Sequence, residues 1–124
     1  MSNQVQNPKD KKYNLEERTA KFGEDIIEFA SSFPDTTVNR PLISQIVRAG
    51  TSIGANYMEA DGAESGKDFY HKISLCKKES KESMHWLRMI AKANGEKKNK
   101  CRIFWQEAHE LSLIFSAISN KKKK

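Results

Sequence analysis

The 124-residue sequence predicts an all-α fold: an antiparallel up-down-up-down four-helix bundle that assembles as a homo-oligomer. Three observations lead there. In four separate segments apolar residues recur at steps of three and four, the spacing that stacks side chains along one helical face. No segment alternates apolar and polar residues as a half-buried strand would. The connections between segments are short, so each helix packs its apolar seam on the next by reversing direction. Residues 14–120 then form the bundle, between a disordered polar leader at 1–13 and a basic tail at 121–124.

The first helix is expected to start at Asn14, whose side chain can cap free backbone amides while Glu17, three residues on, does so reciprocally. Its seam is Leu15, Thr19, Phe22, Ile26, Phe29 and Phe33, and Pro34 ends it. The second helix is expected from Pro41, comfortable at a first helical position, to about Ala60. Its seam is Ile43, Ile46, Gly50, Ile53 and Tyr57. Gly50 and Gly54 cost about 1 kcal/mol each against Ala in a helix interior, and tight contact with another helix is the usual compensation; a loop with two glycines is the alternative. A neighbouring stripe, Gln45, Ala49, Ser52, Asn56 and Glu59, lacks long cations and suits close approach by a second copy of the chain.

DGAES at 61–65 reads as a turn, with Ser65 capping the third helix and Asp68 three residues later. That helix is the longest periodic run: Phe69, Ile73, Cys76, Ser80, Ser83, Leu87 and Ile90 form its seam, with Leu75, Trp86 and Met89 beside it. Asn94 and Gly95 stop it. After a lysine-rich link, EKKNK, the fourth helix carries Phe104, Ala108, Leu111, Phe115 and Ile118 and frays into NKKKK.

Hydrophobic residues make up only 37% of the chain and charged residues 31%, which suits amphipathic helices with one wet face each. No apolar run approaches the ~20 residues needed to span a bilayer, and the N-terminus lacks a signal-peptide core, so a cytoplasmic protein without a membrane partner is expected. Cys76 and Cys101 stand singly, which fits buried, reduced thiols and neither a zinc pair nor a disulfide framework. The net charge of +6 divides into +2 for the leader, −1 for residues 14–95, +1 for 96–120 and +4 for Lys121, Lys122, Lys123 and Lys124. A basic tail attracts phosphate without reading sequence, and it serves equally as a solubilising end.

The third helix also places Lys67, His71, Ser74, Lys78, Lys81, His85, Arg88 and Lys92 on one polar stripe, five cations without an acid. At 1.5 Å per residue the stripe is ~38 Å long, so its cations can follow a phosphate backbone; a solvated outer face is the plainer reading. No aromatic residue interleaves with it for base stacking. Glu82 and His85 have the Glu-x-x-His spacing of di-iron bundles, but Gln106 with His109 and Asp68 with His71 do not supply the second matching pair. No metal, cofactor or catalytic residue is therefore expected. Arg48, Asn56, Glu79 and Glu82 flank the seams of helices two and three, where burial would force them to pair with one another.

The stretches LEERTAKF, LISQIVRAGTSIGANYMEADGAES, KDFYHKISLCKKESKESMHWLRMI and WQEAHELSLIFSAI, spanning about residues 13–119, resemble the four-helix bundle family encoded by intervening sequences within bacterial 23S rRNA genes. The resemblance implies a small antiparallel bundle, a ring-like homopentamer and no known enzymatic activity. Distant relatives of that family include the accessory protein of diversity-generating retroelements, similar in fold, which binds nucleic acid and a reverse transcriptase. Two functions follow as expectations. One is low-specificity binding of RNA or DNA through Lys67, Lys78, Lys81, Arg88, Lys92 and the lysine tail. The other is a scaffold that docks a protein partner such as a nucleic-acid enzyme, with charge serving solubility only.

Overall fold

A computed structural model describes residues 14–121, so the expected leader at 1–13 and Lys122 to Lys124 lie outside the described residues. Four helices follow one another: α1 Leu15–Ala30, α2 Asn39–Asp61, α3 Gly66–Ala93 and α4 Lys98–Lys121, with a 3-10 turn at Gly95–Lys97. No strand occurs among the described residues, and none of the described helices is long and apolar enough to cross a membrane.

The helix starts follow local chemistry. Asn14 Oδ1 accepts from the Glu17 amide at 3.4 Å, and Ser65 Oγ from the Asp68 amide at 3.1 Å. Two boundaries differ from expectation. α1 ends at Ala30, three residues before Phe33, where Ser31 Oγ donates to the Ile27 carbonyl and Ser32 Oγ to the Phe29 carbonyl. These hydroxyls share the last carbonyls with the Ser31 and Ser32 amides, and Pro34 disfavours helical geometry at Phe33. α2 starts at Asn39 rather than Pro41, since Thr36 Oγ1 accepts from the Asn39 amide and the Thr36 carbonyl from the Arg40 amide. The lysine-rich link is itself helical: the Lys97 amide donates to the Asn94 carbonyl, and α4 begins at Lys98 with Cys101 buried in its first turn. Lysine is helix-permissive, and past Gly95 nothing in the link breaks a helix.

The expected seams form the core. Ile26, Ile53, Ile73, Leu87, Leu111 and Phe115 have no exposed surface, each worth about 1.5–3 kcal/mol on burial. Phe104 closes the far side, 5.0 Å from the Phe29 ring and 6.4 Å from Phe22. Buried hydroxyls are satisfied locally: Thr19 donates to the Leu15 carbonyl, Ser80 to Cys76 and Ser83 to Glu79.

Glycine lets α1 and α2 approach. A Cβ on Gly50 would lie 3.2 Å from the Ile26 side chain, one on Gly54 3.3 Å from Thr19 Oγ1, and one on Gly23 3.4 Å from the Thr51 Cα. The tight helix contact expected for Gly50 and Gly54 is thus made with α1 of the same chain. Longer side chains join α1 to α4, where Arg18 donates to both oxygens of Glu107 at 2.8 and 2.9 Å and to Glu110 at 2.8 Å. Both cysteines are free and buried, and burial pushes the Cys76 thiol up to about 12 and the Cys101 thiol up to about 11.

Candidate nucleic-acid interface

α3 buries Ile73, Cys76, Ser80, Ser83, Leu87 and Ile90, so its opposite face must point away from the bundle. Lys67, Lys78, Lys81, Arg88 and Lys92 all lie on that face and are exposed, as are His71, Ser74 and His85 between them. None of the five cations has an ion pair among the described residues.

The acids of α3 are turned elsewhere. Arg48 on α2 donates to Glu79 at 3.1 Å and also binds Glu82. Burial pulls the Arg48 guanidinium down, but these two carboxylates outweigh it and hold the group above its usual value. Lys72 donates to Glu59 across the same seam at 2.6 Å. Helix α3 carries seven cations against three acids, and α2 removes two of those acids from the outer face. Glu82 and His85 therefore diverge, one toward Arg48 and the other onto the exposed face against Trp86. Asn56 stays outside this network and donates to the Ser52 carbonyl.

Two cations that the sequence pattern did not single out extend the basic surface. Lys98 and Arg102 on α4 line one cleft with Arg88 of α3. They sit four residues apart, which only becomes a shared helical face once the lysine-rich link is recognised as the start of a helix. Lys121 is not brought to this surface; it lines a different cleft with Arg18 and Glu110.

The stripe expected to meet a second copy is only partly covered by its own chain, and Glu59 at its end is exposed. Ala49 is fully buried within the subunit, so it cannot present a surface to another molecule. Ser52 and Asn56 are half-buried, each with its side chain donating to a backbone carbonyl one turn back. Gln45 accepts from Arg48, and Glu59 from Lys72. Apolar exposure is found elsewhere, at Ile27 and Met58 beside the α1 and α2 groove and at Ile103 and Leu113 on α4.

A family model described as 23S rRNA-intervening sequence protein matches residues 11–117. Among solved structures, the chain is similar to the crystal structure of a protein with unknown function from the S23 ribosomal protein family, from Bacteroides thetaiotaomicron VPI-5482. The two are 26% identical, with a TM-score of 0.74 over 85% of this chain and 97% of that one. No curated protein matches significantly.

Proposed function

Because the chain belongs to the 23S rRNA-intervening sequence protein family, we propose that it is a non-enzymatic, homo-oligomeric helical bundle that binds RNA or DNA with little sequence preference. The observation that carries this reading is the acid-free outer face of α3, where five exposed cations have no ion-pair partner among the described residues. Such a row attracts phosphates along ~38 Å and reads no base edges, and the tail at 121–124 adds to the attraction.

The same reading takes neighbouring helices as antiparallel. Contacts fall in opposite order along paired helices: Thr19 meets Gly54 and Ile26 meets Gly50, while Glu59 pairs with Lys72 and Arg48 with Glu79. Assembly into a pentamer is the number the family resemblance implies. The exposed apolar pair Ile27 and Met58, which line one groove, and the separately exposed Ile103 and Leu113 on α4 suit a head-to-tail contact that closes a ring and leaves the α3 face free.

Mass measurement in solution, with and without nuclease treatment, tests both halves. The expected result is a nuclease-resistant oligomer that loses bound nucleic acid on digestion and rebinds it at low salt. A monomer defeats the ring, and failure to bind any nucleic acid at low salt defeats the interface.

A further inference from the structure

We infer that the cleft between α3 and α4 receives one unpaired base of a single-stranded nucleic acid, whose flanking phosphates are held by Arg88, Lys98 and Arg102. This rests on the reading of the basic surface as a nucleic-acid interface and adds to it a site for the base. The cleft holds about 340 Å³, at the lower end of the ~300–1,000 Å³ of small-molecule sites. Its floor is apolar, built from Leu87 and Cys101, both essentially buried, with Ala91 between the rim and the core. Trp105 lines it while stacked on His109 at 5.1 Å and 30°, which holds the indole in place before a ligand arrives. No acid lines the cleft among the described residues, and its three cations have no ion-pair partner among them.

Charge and shape together select the occupant. A phosphate alone would leave the indole and the apolar floor unused, and an apolar ligand would leave three cations facing nothing. A base carrying phosphates on either side uses all of them, the combination by which single-strand binders work. Arg88 belongs also to the exposed row on α3, so a strand lying along that row passes the mouth of the cleft. In a duplex the bases remain stacked and cannot enter. Stacking and phosphate contacts do not read the sugar, so RNA and DNA strands bind alike.

The test uses the full chain carrying Trp86→Phe, which leaves Trp105 as the only indole of the two in the sequence. Probes are an RNA and a DNA strand of about 12 nucleotides, the matching duplex, and adenosine monophosphate. Both strands are expected to quench Trp105 fluorescence and the duplex to leave it unchanged while still binding. Trp105→Leu should weaken strand binding about tenfold or more with duplex affinity unchanged, and Trp105→Phe should restore most of the loss. Arg102→Gln, at an exposed position where folding is not at stake, should weaken strand binding severalfold. Equal effects of Trp105→Leu on strand and duplex, or none on either in a variant of native helicity, would overturn the cleft and leave the basic surface standing. Absence of binding to all three polymers at low salt would overturn the underlying reading instead. Saturable quenching by adenosine monophosphate without quenching by a strand would replace the strand with a free nucleotide.

Discussion

Asn39 and Asn94 hold each other by reciprocal amide bonds at one end of the bundle: Asn94 Nδ2 donates to Asn39 Oδ1 at 2.8 Å and Asn39 Nδ2 to Asn94 Oδ1 at 3.1 Å. Both side chains are nearly inaccessible, and their remaining protons go to the Pro34 and Ile90 carbonyls. The pair ties the start of α2 to the end of α3 although the residues lie 55 apart in sequence. Removing one amide strands the other in the interior, so Asn39→Ala and Asn94→Ala should each cost about 1–3 kcal/mol. The double variant leaves neither amide unpaired and should cost less than the two singles summed, with a coupling of about 0.5–3 kcal/mol in a urea-unfolding cycle. Simple additivity would show that the pair does not act as a unit.

The glycines of α2 make a signed prediction. An alanine at Gly50 gains about 1 kcal/mol of helix propensity but drives its Cβ to 3.2 Å from Ile26, a fully buried side chain with nowhere to move. Overpacking of that kind costs about 1–3 kcal/mol, so after the propensity gain Gly50→Ala should destabilise by up to about 2 kcal/mol. Gly66, the first residue of α3, has nothing within 4 Å of the added carbon and no positive φ. Gly66→Ala should therefore stabilise by up to about 1 kcal/mol. Unfolding midpoints in urea separate the two, and a stabilising Gly50→Ala would mean that α1 and α2 are not in close contact.

Most of the fold was legible because apolar spacing decides it: Leu15, Thr19, Phe22, Ile26 and Phe29 are buried as a seam, as are Ile73, Cys76, Ser80, Ser83, Leu87 and Ile90. What escaped were features that depend on where a second element sits. Asn94 reads as a helix stop, and nothing nearby in sequence shows Asn39 as its partner. The stripe from Gln45 to Glu59 reads as free of long cations and therefore open, but Ala49 within it is buried in its own subunit, which the sequence of α2 alone does not show. Charge was hidden by averaging. Residues 14–95 sum to −1, yet α1 holds five acids against two cations while α3 holds seven cations against three acids. Trp105 went unnoticed as a neighbour of the basic row because it lies on a different helix from Arg88.

Burial of the two thiols gives stability an alkaline limit. Each is held neutral in the folded state up to a pKa near 12 for Cys76 and 11 for Cys101, whereas in the unfolded chain each ionises near the ordinary thiol value of 9.0. Above that value the unfolded state has lost protons that the folded state keeps, so folding stability is fully present below about pH 9 and falls as pH rises toward the folded values. Each thiol contributes a slope of up to about 1.4 kcal/mol per pH unit in that window. Cys76→Ala should lower stability at pH 7 by removing a packed sulfur, yet flatten the decline between pH 9 and 11 relative to the parent. Parallel decline in parent and variant would assign the alkaline loss to other groups. Both thiols should also resist a disulfide reagent until the chain is unfolded, because neither is accessible nor ionised.

The α3 face predicts a salt dependence that can be counted residue by residue. If Lys67, Lys78, Lys81, Arg88 and Lys92 each neutralise one phosphate, the plot of log affinity against log salt should have a slope of about −4.5 for duplex DNA, and with Lys98 and Arg102 also on phosphate a slope of about −4.9 for a single strand. Replacing Lys78 and Lys81 by Gln removes two of the five and should reduce the duplex slope by about 1.8. Lys72→Gln is the matched control, since its ammonium is already held by Glu59, whose hydrogen bond raises it above the usual lysine value; its slope should stay close to that of the parent. Deleting Lys122 to Lys124 asks the same of the tail: if all three lysines also sit on phosphate, the parent duplex slope is steeper by about 2.7 than the α3 row alone gives, and the deletion removes that excess. Should the Lys78 and Lys81 double variant keep the parent slope while the tail deletion abolishes it, binding would belong to the tail alone. The exposed row on α3 would then be a solvated face and nothing more.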